Sequence, residues 1–268
     1  TYVLLQTCRT TMHTSIRFLN EGWKVVGLDN MNDYYSVQLK KDRILNIESS
    51  AYASNQDFIF FERDLNSDVW GELAKMKFDL VIHLAAQAGV RYSIENPMAY
   101  LESNILGFQR VLEFIELSRP KKFLYASSSS VYGQTTEQPF KESAPCNSPV
   151  SYYAATKKTN ELMARAYFET HGISSIGLRF FTVYGAWGRP DMAPLIFTSA
   201  AFEGRKIKVF NNGNQKRDFT HINDIVNGIY SLSITQNILK GASIFNIGNG
   251  KPTQLMDFIR LIEVHSKT

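Results

Sequence analysis

The most distinctive chemical pattern in the sequence is a tyrosine followed four residues later by a lysine, Tyr153 and Lys157. Residues four apart share one face of a helix, so the phenol and the ammonium group can lie side by side over one ligand. A neighbouring cation favours the phenolate and lowers a tyrosine pKa that is ordinarily about 10. The pattern therefore predicts a proton acceptor that works near neutral pH, although such pairs also occur on helices by chance.

Four consecutive serines at residues 127–130 form a second polar cluster, at the end of a predicted strand over 122–127. In α/β folds ligands bind at the carboxyl ends of parallel strands. Each hydroxyl can both donate and accept a hydrogen bond, which suits a sugar. The simpler alternative is a serine-rich turn without a ligand.

The elements that must position these residues alternate between short apolar runs and longer helical patterns. Strands are predicted at 24–28, 58–61, 80–84, 122–127 and 175–179, and helices at 96–118 and 153–171. This alternation predicts an α/β fold, a doubly wound parallel sheet. Glycine and proline break the pattern after residue 180, so we expect a division into residues 1–180 and a smaller, less regular lobe over 181–268.

The composition argues against several classes of protein. The chain has 268 residues, of which 44% are hydrophobic, and its net charge of +4 is scattered, so no nucleic-acid partner is expected. Apolar runs stop well short of the about 20 residues that cross a bilayer, so no membrane span is expected. Cys8 and Cys146 form no CxxC pair and no metal-ligand spacing occurs, so no metal is expected and a reducing compartment fits.

Six longer motifs follow one another along the chain: VGLDNMNDYY (26–35), HLAAQAGVRY (83–92), ASSSSVYG (126–133), YAATKK (153–158), LRFFTVYGAWGRPDM (178–192) and RDFT (217–220). With these motifs the chain resembles the extended short-chain dehydrogenase/reductase family, its nucleotide-sugar epimerases and, among those, the UDP-glucuronate 4-epimerases. The resemblance covers most of the chain and implies a Rossmann-like, NAD-binding domain over 1–180. Residues 181–268 then correspond to the lobe that binds the sugar nucleotide.

The resemblance also implies a reaction, in which NAD takes the hydride from C4 of UDP-glucuronate and returns it to the other face of the 4-ketone. Tyr153 corresponds to the base, Lys157 to its activator and Ser128 to the hydroxyl that bonds the 4-oxygen. The implied cofactor-binding residues are Asp29, Asn30, Asn32, Asp64, Leu65, Leu84, Ala85, Ala86, Gln87, Asn104, Tyr153, Lys157 and Phe180. The implied substrate-binding residues are Ser128, Ser129, Ser130, Thr182, Arg189, Val209, Phe210 and Arg217. The carboxylate of Asp29 disfavours a 2′-phosphate, which selects NAD over NADP.

Two features depart from the family. The glycines of the expected GxxGxxG turn fall on Leu5, Cys8 and Thr11, where side chains are expected to obstruct a pyrophosphate. The chain also stops at Thr268, before the elements that complete the family's substrate lobe, so an incomplete lobe or a fragment is expected.

Two other functions remain open from the sequence. A UDP-glucose/UDP-galactose 4-epimerase uses the same chemistry, and the altered turn also fits a non-catalytic relative with a degraded NAD site. A sugar 4,6-dehydratase is disfavoured because Ser129 and Ser130 stand where that reaction needs an acid and a base. Family members commonly dimerise through two helices, which implies a homodimer contact over 96–118 and 153–171. Bacterial members are cytoplasmic, so the resemblance also implies a cytoplasmic protein.

Overall fold

The computed structural model describes residues 2–6, 9–135, 137–209, 211–236 and 240–266. Its strands, in chain order, are β1 (Tyr2–Gln6), β2 (Lys24–Asp29), β3 (Phe58–Glu62), β4 (Leu80–His83), β5 (Lys122–Ser128), β6 (Ser175–Phe180), β7 (Thr182–Tyr184), β8 (Lys216–His221), β9 (Ala242–Ile247) and β10 (Pro252–Gln254). The predicted strands agree with β2 to β6 to within one residue at each end.

The helices are α1 (Arg9–Asn20), α2 (Val37–Ser54), α3 (Trp70–Leu73), α4 (Tyr92–Glu95), α5 (Pro97–Tyr100), α6 (Gly107–Ser118), α7 (Tyr152–His171), α8 (Ala193–Phe202), α9 (Ile222–Ile234) and α10 (Leu255–Ser266). A π-helical stretch, Leu101–Leu106, joins α5 to α6. In the described part of the chain, no helix is long and apolar enough to cross a bilayer.

Seven parallel strands form the central sheet, in the order β3-β2-β1-β4-β5-β6-β9. The chain builds outward from β1 in one direction and from β4 in the other, so the switch point lies between these two strands. This order is that of a doubly wound, Rossmann-like sheet, whose ligand crevice lies at the carboxyl ends of the strands near the switch point. The predicted fold class is confirmed.

A smaller, three-stranded sheet in the order β10-β8-β7 lies beside the main one. Residues beyond 180 are not confined to it, because β9 pairs in parallel with β6 and α9 packs against α1. The second part of the chain therefore also completes the central sheet. A division near residue 180 stays a prediction.

The central strands are apolar because helices cover both faces of the sheet. All four residues of β4 are buried. One face packs Phe18, Ile82 and Ile225 into its core, while Val26 and Phe108 belong to the core of the opposite face. The sheet is therefore a rigid base for the loops at its carboxyl end.

The helix predicted over 96–118 is interrupted, which corrects the sequence interpretation. The π-helical stretch contains Asn104, which is only 1% exposed and whose side chain bonds the backbone N–H and C=O of Gln87. The side chain of Asn160 donates to the Asn104 carbonyl at 2.6 Å. The π-helical stretch is thus tied by hydrogen bonds to the loop after β4 and to α7. Single π-helical turns are frequently found at functional sites.

Candidate active site

Tyr153 and Lys157 lie on the first turns of α7, where a local signal starts the helix. The Ser151 side chain accepts a hydrogen bond from the Ala154 N–H at 3.0 Å, which satisfies one of the free donors of the first turn. Lys157 is 1% exposed, and its ammonium group donates to the carbonyl of Ala126 on β5 at 2.9 Å. Lys157 is therefore fixed against the strand that ends in the serine cluster.

A buried histidine lies near Lys157. His83, at the end of β4, is 1% exposed and packs its ring on Phe108 with 5.4 Å between centroids. Burial, and secondarily the charge of Lys157, holds the pKa of His83 well below its usual range. The ring is therefore neutral at physiological pH.

The serine cluster turns sharply at the end of β5. The Ser128 hydroxyl accepts from the Ser130 N–H at 3.1 Å and caps a short 3₁₀ turn, Ser129–Tyr132. Gly133 ends the turn at a φ of +60°, where an added Cβ would overlap the carbonyl oxygen of Ser148. Ser128 is buried, whereas Ser129 and Ser130 are half-buried. The turn thus presents neighbouring hydroxyls at the carboxyl edge of the sheet.

The first serine of the run faces away from this edge. Ser127 is buried and donates to the carboxylate of Glu161 at 2.6 Å. Arg179, on β6, forms two further hydrogen bonds to Glu161, at 2.8 and 2.9 Å. Sequence reasoning missed this buried ion pair, because nothing in the spacing of residues 161 and 179 marks them as partners.

The ion pair is strongly bound even though it is buried. Burial opposes ionisation of Glu161, but hydrogen bonds from Arg179 and Ser127 outweigh it and leave the pKa of Glu161 below its usual range. Burial likewise opposes the charge on Arg179, but the bond to Glu161 raises its pKa overall. Both groups are therefore charged at neutral pH, directly beneath the serine turn.

A cleft at the ends of β2, β3 and β4 collects most of the residues implied to bind the cofactor. It encloses about 740 Å³, counting space open to solvent. Its implied residues are Asp29, Asn30, Asn32, Asp64, Leu65, Ala85, Ala86 and Gln87, and it also takes in Tyr34, Tyr35, Lys40, Arg63, Asn66 and Ser103. The second group was missed, although the adjacent tyrosines fall inside one of the recognised motifs.

Polar contacts fix the acidic end of this cleft. Asp29 accepts from the Met31 N–H at 2.5 Å, and the ammonium group of Lys40 lies 3.6 Å from the same carboxylate. Asn30 donates to Asp64 at 2.7 Å, which ties the end of β2 to the loop after β3. The carboxylates are held in place while the cleft remains open, as the hydroxyls of a ribose require.

The other residues implied to contact the cofactor do not line this cleft. Asn104 is buried and reaches the site through the Gln87 backbone, as described above. Phe180 pairs with Ser128 across neighbouring strands, and Leu84 is buried at the end of β4. Tyr153 and Lys157 lie on α7, which packs against β5 and the serine turn. Two groups of predicted residues thus occupy neighbouring parts of one edge.

The residues implied to bind substrate are more dispersed. Thr182 begins β7, next to Phe180, and the strand pairing places it opposite Phe219. Arg217 is exposed on β8, two residues from Phe219, and donates to Gln215 at 3.1 Å. Val209 is half-buried in the loop before β8, and the prediction for Phe210 lies outside the described residues.

Arg189, which the resemblance implies as a substrate-binding residue, lies in the wall of the same cleft as the implied cofactor residues. Two hydrogen bonds, at 2.9 and 2.7 Å, join its guanidinium group to Asp191. Tyr34 donates to the same carboxylate at 3.1 Å. Burial, with Asp191 beside it, raises the pKa of Tyr34 to about 12, so the phenol stays a hydrogen-bond donor.

The polar groups that line the cleft fit a dinucleotide with free ribose hydroxyls, because carboxylates accept hydrogen bonds from such hydroxyls. Carboxylates stand at the ends of β2 and β3, and Ala85 and Ala86 leave room for a flat group against the backbone. Of the altered glycine positions, Thr11 is fully buried in α1, Leu5 lies on β1, and Cys8 lies outside the described residues. No cluster of His, Cys, Asp and Glu among the described residues could hold a metal ion.

The chain is similar to known proteins in sequence and in fold. The model of the NAD dependent epimerase/dehydratase family matches residues 12–248. Protein CapI of Staphylococcus aureus is 43% identical over 270 residues, covering 94% of this chain and 78% of that protein. UDP-glucuronate 4-epimerase 4 of Arabidopsis thaliana is 42% identical, with 94% of this chain and 60% of that protein covered. The crystal structure of UDP-glucuronic acid 4-epimerase from Bacillus cereus, in complex with UDP-glucuronic acid and NAD, has a TM-score of 0.90 at 30% identity and covers 100% of this chain and 84% of that one. The chain therefore belongs to the NAD dependent epimerase/dehydratase family.

Proposed function

We propose that the protein converts UDP-glucuronate to UDP-galacturonate by NAD-dependent epimerisation at C4. The observation that carries the proposal is the position of Lys157 on α7, whose ammonium group donates to the Ala126 carbonyl two residues before Ser128, with the carboxylate-bearing cleft at the same edge of the sheet. The relatives named for this reaction, and the structure that holds both UDP-glucuronic acid and NAD, support the choice of substrate.

Each residue of the site has a distinct role in the proposed reaction. Tyr153 accepts the proton of the 4-hydroxyl and later returns it, and Lys157 favours the phenolate by its charge. Ser128 bonds the 4-oxygen and so orients it toward the phenol. Asp29 and Asp64 hold the adenosine end of NAD, which when bound supplies a hydride acceptor and donor for C4.

The hydroxyls of the serine turn have a further use with this substrate. A glucuronate oxidised at C4 is a β-keto acid, which loses carbon dioxide when its carboxylate stands perpendicular to the ketone plane. Ser129, Ser130 and Thr182 hold the carboxylate out of that geometry. Replacing both serines by alanine should increase carbon dioxide and UDP-pentose by-products, and an unchanged product ratio would argue against this role.

The proposal is tested by incubating the protein with UDP-glucuronate and, separately, with UDP-glucose, and following both by proton NMR. Conversion of UDP-glucuronate that is abolished in Tyr153→Phe supports the proposal. Turnover of UDP-glucose alone would assign the neutral hexose instead. Binding of NAD and UDP without turnover of either sugar would indicate the non-catalytic relative.

We also propose a homodimer, formed through the segment 97–118 and α7. Apolar side chains on these elements are exposed in the single chain, including Met98 at 56%, Leu117 at 69% and Leu162 at 59%. Exposed apolar side chains on the segments that the resemblance implies for the dimer contact agree with an interface there. Light scattering coupled to gel filtration tests the proposal, and Leu162→Glu should shift a dimer toward the monomer.

A further inference from the structure

The segment that carries Arg189 is held by a buried arginine from a different part of the chain. We call residues 185–191 the arginine segment. Arg43, on α2, is 4% exposed and donates to the carbonyls of Trp187 at 2.7 Å and Gly188 at 3.4 Å. Trp187 has a φ of +59°, which is unfavourable for a residue with a side chain. The contacts from Arg43 therefore hold a conformation that the segment would not favour alone.

Two further side chains contact the same segment. The Tyr34 hydroxyl donates to Asp191, which in turn holds Arg189 through two hydrogen bonds. His13 Nε2 lies 3.2 Å from the carbonyl oxygen of Ala186. All three contacts come from the first 43 residues of the chain, on the cofactor side of the site.

Arg43 also holds the loop that shapes the acidic end of the cofactor cleft. We call residues 29–35 the ribose loop. The second nitrogen of Arg43 donates to the Tyr35 hydroxyl at 2.7 Å. The ammonium group of Lys40 lies 5.0 Å from the centre of the Tyr35 ring and donates to Asn32 at 2.8 Å. One guanidinium group thus bonds the ribose loop and the arginine segment at the same time.

We propose that Arg43 is a positioning residue that couples cofactor binding to the binding of the sugar nucleotide, by fixing the arginine segment to the ribose loop. The inference rests on the proposed function, because it takes NAD at Asp29 and an anionic sugar nucleotide at Arg189. When NAD binds and orders the ribose loop, the arginine segment is ordered as well, which strengthens the binding of the sugar nucleotide. By linkage, bound sugar nucleotide strengthens the binding of NAD by the same factor.

The geometry explains why this role belongs to an arginine. A guanidinium group offers several N–H donors in one rigid plane, so a single side chain reaches a phenol on one side and two carbonyls on the other. A lysine in its place has a single charged nitrogen, so it would keep its hydrogen bonds to only one of the two segments, the ribose loop or the arginine segment. A methionine fills the space but leaves the half-buried carbonyl and hydroxyl groups without this donor.

The test measures the affinity for UDP with and without saturating NAD, in the wild type and in Arg43→Met, by titration calorimetry on protein freed of cofactor. The wild type should bind UDP about 10-fold more tightly when NAD is present, within the usual range of such couplings. In Arg43→Met the factor should fall below about 2-fold. Arg17→Met is the matched control, since Arg17 contacts Glu21 and the Tyr230 ring and should leave the factor unchanged.

Steady-state kinetics separate positioning from stability. Arg43→Met should raise KM for UDP-glucuronate about 10-fold and change kcat by less than about 3-fold. A merely structural role would lower the unfolding midpoint while leaving KM and the coupling factor as in the wild type, which would overturn the inference. Tyr34→Phe removes a single hydroxyl and should reduce the coupling partly, so the proposal can be judged even if Arg43→Met fails to fold.

The outcomes distinguish the two proposals. A wild type that binds both NAD and UDP but shows no coupling overturns the inference and leaves the proposed function intact. A wild type that binds neither overturns the proposed function and the coupling together.

Discussion

Replacing Glu161 by glutamine tests the buried ion pair beneath the serine turn. The variant keeps the shape and one acceptor oxygen but removes the charge that faces Arg179. The two side chains are 5% and 2% exposed and are joined at 2.8 and 2.9 Å. Removing one partner of such a pair costs about 3–5 kcal/mol because a charge stays buried without compensation. Glutamine still accepts one hydrogen bond, so we expect about 3 kcal/mol.

The loss is measured by urea unfolding, followed by circular dichroism. With a slope of about 3 kcal/mol per molar of urea, the unfolding midpoint should fall by about 1 M. The control is Glu169→Gln, which breaks an exposed pair of the same helix with Arg165, at 2.6 Å and with 55% and 61% exposure. That change should cost less than about 1 kcal/mol because water solvates both charges. Equal, small losses in the two variants would refute the reasoning.

The same ion pair makes the free energy of unfolding depend on pH, and the sign of this dependence follows from the lowered pKa of Glu161. A carboxyl whose pKa is lower in the folded state stabilises the fold above its unfolded pKa of about 4.3, and this stabilisation is lost as the pH falls through the folded value. The difference between wild type and Glu161→Gln should be constant from about pH 8 to 5 and should narrow below about pH 4. A stability difference between the two proteins that widens as the pH falls would contradict the lowered pKa of Glu161.

Three further predictions concern the turn, the base and the cofactor. Gly133→Ala should lower the free energy of unfolding by about 2 kcal/mol or more, because the added Cβ overlaps the carbonyl oxygen of Ser148. Gly172→Ala is the control, since Gly172 also has a positive φ but has open space around it, and should cost about 1 kcal/mol. Thermal unfolding of the two variants compares these losses. Lys157→Met should lower kcat at least about 100-fold, and an effect on KM alone would contradict its place beside the base. Asp29→Ala should weaken NADH binding about 10-fold while affecting NADPH less, as nicotinamide fluorescence would show, and equal losses would contradict its role in selection.

Much of the site could be predicted because its signals are local. The tyrosine and lysine are one helical turn apart, and the serine turn follows directly after an apolar strand. The acidic residue Asp29 ends β2 and Asp64 follows the end of β3 by two residues, so a parallel sheet brings them to one edge. The Arg43 contacts could not be predicted in this way, since they join residues 144 positions apart along the chain.

The sequence by itself determined the α/β alternation, the strands β2 to β6 and the motifs that belong to the epimerase family, because periodicity and spacing act over a few residues. Only the tertiary structure decided which charges meet. It paired Glu161 with Arg179, turned Ser127 away from the other serines, broke the helix at Asn104 and drew Arg189 toward the ribose loop. The physical reason is that a buried charge must find a partner wherever the packed fold provides one, and that partner is set by the sheet order and not by distance along the chain.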